Sequence, residues 1–328
     1  MISSGNIPSF VYKILLVVAT VIWGGSFVVM KNVVEVLPAA WLLGIRMLPA
    51  GIILGLVLFG RMRRAFAHDW RRAIGAGLVL GALDFAAFWA QTVGLASTTP
   101  GINAFLTATY CVIVPFLWWV IARKRPTVFN LGAAVLAVAG IWLVSSAASG
   151  EVFTLGFGEG MTLVGAVFFA LHIVAVSKFA RRTDALVLTA IQFTTEGALG
   201  LLVGAATEVP PTLSVFTPEL VASMAFLTLF ATIVAFGFQN VGLAHVPPSQ
   251  AALLLSLESV FGVLFSVVLY GEELTARLLL GFALIFAAIV ISETLPLKRS
   301  DAASDAAGGS EGAPAEAPGA SASDGRAA

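Results

Sequence analysis

Several ionisable residues lie near the middle of long apolar stretches of the chain, among them Asp84, His172 and Glu258. If those stretches cross a lipid bilayer, a charged side chain at mid-depth costs roughly 2.5 to 3.5 kcal/mol on insertion scales. Carboxyl and imidazole groups placed there can carry protons or bind a polar ligand, so these residues are the first candidates for a functional site.

The elements that position these residues are apolar stretches of about 20 residues, the length that crosses a hydrocarbon core. Hydrophobic residues make up 59% of the chain and charged residues 11%, against roughly 25% charged residues in soluble domains. The sequence therefore predicts an all-α membrane protein with ten transmembrane helices, at residues 13–33, 39–59, 73–95, 101–121, 128–147, 157–178, 185–205, 219–241, 248–270 and 276–294.

Lysine and arginine residues are distributed unequally between the predicted loops. If the N-terminus is inside, the inner side holds fourteen of them, and the outer loops hold only Lys31 and Arg277. Short cytoplasmic loops collect positive charge, so the N- and C-termini are both predicted to be cytoplasmic. Residues 1–12 then form an N-terminal cytoplasmic segment. Residues 300–328, which lack bulky apolar side chains, form a disordered cytoplasmic tail.

A twenty-residue stretch of the chain occurs twice, at 88–107 and at 236–255, with nine identical positions and no gap. The chain is thus an internal duplication, with a first repeat at 13–147 and a second at 157–294. Because each repeat holds five predicted helices, an odd number, the second repeat enters the bilayer inverted relative to the first. Inverted repeats are typical of transporters, which bind substrate between the repeats near the bilayer midplane.

Further polar residues share helical faces with these candidates. Phe88 and Gln91 follow Asp84 at steps of four and three residues. Asn103 and Tyr110 lie two turns apart on the next predicted helix. Side chains at these steps point the same way from a helix, so each stripe is predicted to face a substrate.

The duplication pairs several of these residues. Tyr110 aligns with Glu258, and Gln91 aligns with Gln239. Asp84 and Glu258 are the candidates for coupling transport to protons. Gln91 and Gln239 are predicted near opposite mouths, where they suit symmetric gates, although hydrogen bonding at helix ends explains them equally well.

Other intramembrane polar residues have structural explanations. Arg46 is either a functional residue or a cation that neutralises a carboxylate and holds two helices together. Its repeat partner is Gln192, and Glu196 follows Gln192 on the same face, so these three residues are assigned to helix packing. His172 is either a hydrogen-bonded buried group or a proton carrier.

Aromatic residues supply apolar walls for a small organic ligand. Trp23 lies mid-span beside Gly24 and Gly25, whose small size is predicted to leave room next to the indole ring. A second group of glycines favours close contacts between helices: Gly51, Gly55, Gly75, Gly77 and Gly81.

The sequence lacks the usual catalytic signatures. Its three histidines do not share a helix face at metal-ligand spacing, and it has no Walker-type lysine loop. No cofactor or metal is expected, and the basic loops are interpreted as topology signals, not as a nucleic-acid surface. The alternatives are an intramembrane enzyme acting on lipid substrates, a facilitative uniporter without ion coupling, and a channel.

One group of motifs is more specific than the rest: Trp23-Gly24, Pro248, Leu257-Glu258 and Gly271-Glu272. With these residues the chain resembles the drug/metabolite transporter (DMT) superfamily, in its ten-helix branch with two EamA-type domains. Two positions depart from the family pattern. Ser259 stands where members often have a proline, and Lys124 replaces an acidic residue.

The resemblance implies a multi-pass protein of the cell inner (plasma) membrane. It would export small organic metabolites or drugs, or amino acids and related compounds, by alternating access. The implied cavity is surrounded by Trp23, Asp84, Phe88, Tyr110, His172 and Glu258. The expected partners are a small-molecule substrate, the lipid bilayer and protons, with no nucleic acid, and the protein is expected to be a monomer or a homodimer.

Overall fold

The computed structural model describes residues 8–123, 125–149, 155–180, 182–243, 245–246 and 254–308. Every regular element in these residues is helical. In chain order the α-helices are α1 (Ser9–Val34), α2 (Ala39–Val57), α3 (Phe59–Ala96), α4 (Pro100–Ala108), α5 (Tyr110–Ala122), α6 (Val128–Ser149), α7 (Phe157–Phe179), α8 (Ala185–Thr207), α9 (Pro218–Phe226), α10 (Ala235–Leu243), α11 (Leu257–Phe265) and α12 (Ala276–Gly308). The first π segment, Leu227–Val234, joins α9 to α10, and the second, Ser266–Tyr270, extends α11.

The helices have the length and surface of a membrane protein. Within the described residues, seven helical stretches are long and apolar enough to cross a membrane, and three shorter apolar helices accompany them. Large apolar side chains are exposed along α2 and α6, including Leu56, Val57 and Val135. Extensive exposed apolar surface marks contact with lipid or another protein. The multi-pass membrane class is confirmed, while the count of ten helices and the side of the termini stay predictions.

Helix α3 begins earlier than the predicted third span. The segment from Phe59 to Trp70, predicted mainly as a loop, is helical and joins the spanning part at a break. At the break Asp69 has φ −157° and ψ 81°, and its Oδ1 accepts a hydrogen bond from the backbone N–H of Arg72 at 3.0 Å. An aspartate that bonds in this way caps the first turn of a helix, so the spanning part starts beside Trp70.

The fourth predicted span, 101–121, consists of two helices, α4 and α5, which meet at Thr109. The hydroxyl of Thr109 donates to the carbonyl oxygen of Leu106 at 2.6 Å. Pro115, inside α5, has no backbone N–H to donate. Both features interrupt the regular hydrogen-bond ladder, so Tyr110 lies at the start of a new helix instead of in the middle of a continuous one.

The last two predicted spans differ in how much of them is described. The ninth, 248–270, is described from residue 254 onward. Helix α12 is longer than the tenth predicted span, 276–294, because it continues to Gly308, within the predicted tail. The added turns are rich in alanine, the residue with the highest helix propensity. Residues 309–328 of the tail, like most of the segment 1–12, lie outside the described residues.

Helices at equivalent places in the two repeats pack against each other, α2 on α8 and α6 on α12. Helix α3 lies against α7, and the equivalent contact, with the roles of the repeats exchanged, is that of α10 with α1. The predicted close contacts are confirmed where an added Cβ would overlap the facing helix: Gly51, Gly77 and Gly81. The prediction is wrong at Gly75, where no atom lies within 4 Å of an added Cβ, while a Cβ on Gly55 would lie at ordinary contact distance, 3.4 Å, from Met62 Sδ of α3.

The two ends of the helix bundle differ in charge and bonding. The basic end contains the turns between α2 and α3 and between α7 and α8, where Arg61 and Asp184 form an ion pair at 2.7 Å. The capped end is the opposite one, where charged side chains bond to helix ends. Glu208 accepts from the first backbone N–H groups of α2 at 3.0 to 3.2 Å. Lys31 donates to the last carbonyl groups of α3 at 2.9 and 3.0 Å.

Candidate functional site

A cavity of about 400 Å³ lies between the two repeats. Its wall contains ten of the twelve residues singled out from the sequence: Trp23, Arg46, Asp84, Phe88, Gln91, Tyr110, His172, Gln192, Gln239 and Glu258. These residues come from eight of the ten predicted spans. The volume is sufficient for a small organic molecule.

Asn103, singled out as a substrate-binding residue, does not line this cavity. It is fully buried, and its amide donates to Thr162 Oγ1 at 2.7 Å and to the backbone oxygen of Gln91 at 3.1 Å. These bonds tie α4 to α7 and α3. Asn103 therefore contributes to helix packing, and the sequence pattern could not reveal this because Thr162 is 59 residues away.

Asp84, Gln192 and His172 form the polar centre of the cavity. Gln192 Nε2 donates to Asp84 Oδ2 at 2.6 Å, and Gln192 Oε1 lies 3.0 Å from His172 Nε2. The other imidazole nitrogen, Nδ1, lies 3.9 Å from Asp84 Oδ1. One glutamine therefore links α3, α7 and α8, and His172 is a hydrogen-bonded, mostly buried group in this structure.

Arg46 is buried almost completely, with 1% of the residue exposed. Its Nε donates to Thr232 Oγ1 at 2.9 Å, and its Nη1 lies 3.1 Å from Met30 Sδ. Cζ lies 5.6 Å from the centre of the Phe88 ring, within the range of a cation–π interaction. The side chain thus holds α2 against the first π segment and also reaches the cavity wall, so both roles considered from the sequence are compatible with this geometry.

Glu196 lies beside this centre but not in the cavity wall. It is 0% exposed, and neither carboxylate oxygen has a hydrogen-bond partner among the described residues. Burying a carboxylate without hydrogen bonds is costly. Arg46 and Asp84 both lie within electrostatic range of Glu196, so the guanidinium offsets part of that cost.

Aromatic rings form two walls of the cavity. Phe88 packs edge-on against Phe169, with ring centres 4.9 Å apart. Trp23 packs in the same way against Phe236 at 5.2 Å. The indole N–H of Trp23 donates to the carbonyl oxygen of Ala231 in the first π segment at 2.8 Å. This bond restrains the indole plane, so Trp23 is a defined part of the wall.

Gly24 and Gly25 do not leave an empty space beside the Trp23 ring. A Cβ on Gly24 would lie 2.5 Å from Cβ of Phe261, and one on Gly25 would lie 3.7 Å from the ring of Phe265. The expectation from the sequence is wrong because both glycines face α11. Gly24 lets α1 approach that helix closely.

The two carboxyl groups of the cavity wall differ in how far they are restrained. Asp84 is bonded to Gln192, whereas Glu258 makes no ion pair or side-chain hydrogen bond with the described residues. Glu258 lies in the first turn of α11 and is partly exposed. A carboxyl group with this freedom can accept a hydrogen bond from a ligand or bind a proton.

Most of the cavity wall lies between the centre of the bundle and the basic end, and Met30 and Gln91 extend it toward the capped end. Along α7 its wall extends from Phe169 to Val176, near the end of that helix, and on α8 it includes Thr189 in the second turn. Toward the capped end, Gln91 Nε2 donates to Thr107 Oγ1 at 2.9 Å, and both residues are buried. This hydrogen bond lies at the capped side of the cavity wall, while Val176 and Thr189, toward the basic end, are partly exposed.

Glu272 fastens the capped end. Its carboxylate accepts hydrogen bonds from Thr99 Oγ1 at 2.5 Å, from the backbone N–H of Gly101 at 3.1 Å and from Ser266 Oγ. Thr99 and Gly101 belong to the start of α4, where unpaired backbone N–H groups favour negative charge. One carboxylate therefore joins α4 of the first repeat to the second π segment of the second repeat.

Several residues of the wall were not among the predicted site residues: Ser26, Phe27, Met30, Thr107, Cys111, Phe169, Ile173, Thr189, Phe236 and Leu255. Phe236 could have been found, because the duplication aligns it with Phe88. Phe169 precedes His172 by one helical turn and so shares its face. For the apolar residues among the rest, the sequence does not distinguish a side chain that faces a cavity from one that faces lipid.

The arrangement suits reversible binding of a small amphipathic molecule. Aromatic rings lie on two sides, with carboxyl, guanidinium and imidazole groups between them. Within the described part of the chain, no group of three or more His, Cys, Asp or Glu side chains is placed to hold a metal ion.

Comparison with known proteins identifies related chains. An uncharacterized transporter of Archaeoglobus fulgidus is 29% identical over 215 residues, which cover 66% of this chain and 67% of that protein. A chloroplastic WAT1-related protein of Arabidopsis thaliana is 24% identical over 300 residues, which cover 88% of this chain and 71% of that protein. A solved crystal structure has a TM-score of 0.62 at 18% identity, covering 89% of this chain and 99% of its own. At that identity the similarity concerns the fold.

Two segments of the chain match one family model, the EamA-like transporter family, at residues 11–146 and 156–294. Their bounds lie within two residues of the repeats 13–147 and 157–294 that the internal duplication defines. The resemblance noted in the sequence is confirmed, and the chain belongs to the EamA-like transporter family of the DMT superfamily.

Proposed function

We propose that the chain exports small organic metabolites or drugs, such as amino acids and related amphipathic compounds, by alternating access. The observation that carries the proposal is the cavity of about 400 Å³, whose wall is built from both repeats. Its aromatic rings suit the apolar part of such a substrate, while Asp84 and Glu258 suit a polar or cationic group. Because the site lies between the two repeats, a movement of one repeat relative to the other can open the site to either side of the membrane.

The proposed topology has ten helices in two inverted repeats, with both termini in the cytoplasm. Under the positive-inside rule the lysines and arginines of the basic end belong to the cytoplasmic side. The cavity lies nearer this end, so the structure corresponds to a state from which an exporter loads its substrate. In the other state the repeats exchange conformations and the cavity faces the opposite side.

The topology is tested with introduced cysteines in a Cys111→Ala background, since Cys111 is the single cysteine. Arg63→Cys lies at the basic end, and Leu213→Cys replaces a capped-end residue that is 91% exposed. An impermeant maleimide added to intact cells is expected to label only Leu213→Cys. Labelling of both variants, or of Arg63→Cys alone, contradicts the orientation.

Transport is tested with purified protein in liposomes loaded with a cell extract, and the compounds that leave are identified by mass spectrometry. Cys111 lines the cavity and is 6% exposed, so alkylation with N-ethylmaleimide fills part of the binding space. A substrate is a compound whose release stops after alkylation of the parent protein and continues in alkylated Cys111→Ala. If no compound behaves in this way, the proposed function is wrong.

Proton coupling is the finer part of the proposal, and Glu258 is assigned to it because its carboxyl group lines the cavity and has no bonded partner among the residues that the structure describes. We expect an imposed pH gradient to accelerate release by the parent protein. Glu258→Gln keeps the size of the side chain but cannot release a proton, so its transport is expected to lose the gradient dependence. Glu273→Gln, at an exposed capped-end residue, is the control. Transport by the parent protein without gradient dependence indicates a facilitative uniporter instead.

A further inference from the structure

A second cavity, of about 710 Å³, opens at the basic end, on the outside of the helix bundle. We call it the basic groove. Its wall contains four basic side chains from two separate turns of the chain: Arg71, Arg72, Lys178 and Arg182. A topology signal requires only that basic residues lie in the loops on one side of the membrane. It does not require residues from two loops to meet around one concave surface.

The charge of the basic groove is only partly neutralised. Arg72 Nε lies 3.7 Å from Asp69 Oδ2. Among the described residues, Lys178 and Arg182 have no ion-pair partner, and Arg71 has only a ring contact, with its Cζ 5.5 Å from the Trp70 ring. Three of the four positive charges thus remain available to an anion.

The Arg61–Asp184 ion pair, at 2.7 Å, lies outside the lining of the basic groove, at the same end of the bundle. Arg61 belongs to the first stretch of α3, and Asp184 caps the first turn of α8 by accepting from the backbone N–H of Leu186 at 3.0 Å. The pair therefore fixes the turn before α8 against α3. It also pairs the Asp184 carboxylate with Arg61, which is outside the groove, so that this carboxylate does not neutralise the groove residues.

An apolar strip continues from the basic groove along α3. Gly75 lies in the wall, and no atom is within 4 Å of the position that its Cβ would occupy. Gly75, Leu78 and Val79 lie on the same face of the helix as Arg71, because residues at steps of four, seven and eight share one side of a helix. Leu78 and Val79 are 49% and 47% exposed. Trp70, 54% exposed, lies beside the charges, as tryptophans do at membrane interfaces.

We propose that the basic groove binds the headgroup of an anionic phospholipid. The phosphate lies among Arg71, Lys178 and Arg182, and an acyl chain follows Gly75, Leu78 and Val79 along α3. The combination of unneutralised charge with a lipid-facing apolar strip on the same helix favours a membrane lipid over a soluble phosphate. Basic pockets between transmembrane helices recognise anionic headgroups in this way.

The test uses the full-length protein, purified in detergent and titrated with phosphatidylglycerol, phosphatidylcholine or soluble glycerophosphoglycerol. Native mass spectrometry counts the bound molecules. We expect phosphatidylglycerol to bind more tightly than phosphatidylcholine, and the soluble headgroup to bind far more weakly than the intact lipid. If glycerophosphoglycerol binds as well as phosphatidylglycerol, the groove is a site for soluble anions and the proposal is overturned.

Two sets of variants locate the binding. Arg71→Gln, Lys178→Gln and Arg182→Gln together are expected to weaken phosphatidylglycerol binding by roughly 10- to 100-fold, because each basic residue at the membrane surface contributes to binding an anionic lipid. The matched control removes three charges from the same end outside the groove, by Arg63→Gln, Arg64→Gln and Arg125→Gln. An equal loss in both triple variants means that the binding is unspecific attraction, which overturns the proposal.

A pair of glycine variants tests the groove without changing any charge. Gly75→Leu fills the groove, while Gly132→Leu places the same side chain on an exposed face of α6, and neither site has an atom within 4 Å of the new Cβ. We expect Gly75→Leu alone to weaken phosphatidylglycerol binding. Unchanged binding in Gly75→Leu contradicts the proposed path of the lipid, even if a triple variant fails to fold.

Discussion

The two repeats meet at the centre of the molecule through two equivalent hydrogen bonds. Arg46 of α2 donates to Thr232 of the first π segment, and Gln192 of α8 donates to Asp84 of α3. The duplication aligns Arg46 with Gln192 and Asp84 with Thr232. Each aligned pair of positions therefore forms a hydrogen bond between the repeats, once with the donor in the first repeat and once with the donor in the second.

The chemistry of these two bonds differs although their geometry is shared. The first repeat supplies both charged groups, Arg46 and Asp84, and each is bonded to a neutral side chain of the second repeat. Glu196 adds a carboxyl group to the second repeat at the place where the first repeat has Ala50. The two repeats share the positions of these hydrogen bonds but not their charges, so the two states of the proposed alternating-access cycle are not electrostatically equivalent.

The largest effect on stability is expected when Arg46 is replaced by glutamine, the residue at the aligned position 192. Arg46→Gln gives both repeats a glutamine but leaves Asp84 and Glu196 buried without their cation. Breaking a direct buried ion pair costs roughly 3 to 5 kcal/mol, and because Arg46 acts on these carboxyl groups without a direct contact, we expect the cost to lie at or below that range. We expect a clear loss of thermal stability in detergent, measured by the unfolding temperature.

The control for this prediction is the double variant Arg46→Gln with Glu196→Gln. It removes one carboxyl group together with the cation, and we expect it to regain a large part of the lost stability. Unchanged stability in Arg46→Gln alone would show that the guanidinium does not compensate these carboxyl groups.

A second prediction compares the two ends of the bundle through Glu272 and its repeat partner Lys124. The Glu272 carboxylate accepts hydrogen bonds from Thr99 and Gly101 at the capped end, whereas the lysine at the equivalent sequence position can only donate. Glu272→Gln weakens bonds to a charged acceptor, which contribute about 1.5 to 3 kcal/mol each. We expect labelling of Cys111 from the capped side of membrane vesicles to rise about tenfold or more.

The matched control is Glu273→Gln, which removes an exposed charge from the neighbouring residue. It is expected to label like the parent protein. Equal increases in both variants would mean that the net charge of this loop, and not the bonds to α4, keeps the capped end closed.

The smallest effect is expected from making the two glutamine positions alike. Gln91 donates a hydrogen bond to Thr107 at 2.9 Å. The duplication aligns Gln239 with Gln91 and Leu255 with Thr107, and the leucine side chain cannot accept a hydrogen bond from Gln239. Leu255→Thr offers Gln239 a partner worth about 0.5 to 1.5 kcal/mol. We expect labelling of Cys111 from the basic side to fall by a few fold, because closure at that end becomes easier.

Thr107→Val is the reciprocal variant, since it removes the partner of Gln91 while keeping the size of the side chain. Labelling from the capped side is expected to rise. If neither variant changes the labelling from either side, these glutamines do not act as gates.

Much of the fold follows from local properties of the chain. The apolar stretches predict the helices, and the duplication predicts which positions are equivalent, including the pairing of Phe88 with Phe236. The polar stripe of Asp84, Phe88 and Gln91 lines the cavity as a shared helical face requires. These features depend on residue type and spacing alone, so the sequence is sufficient to find them.

Features that depend on distant partners were missed. Asn103 is part of a polar stripe, yet its partner Thr162 is on another helix, and no spacing rule reveals that contact. The first π segment has no signature residue of its own. Thr232, within this segment, donates to the carbonyl oxygen of Leu227 at 2.9 Å and accepts from Arg46. The wider turn of the π segment therefore occurs where Thr232 bonds to a residue of another helix.

The wider turn at Leu227–Val234 makes the cavity sensitive to chain length as well as to residue type. Each residue of a helix rotates the following ones by about 100°. A relative lacking one residue in this segment would therefore turn a different side of α10 inward, and Phe236 and Gln239 would leave the pocket without being mutated. A gap of one position here in an alignment would mark a change in the pocket lining that no substitution records.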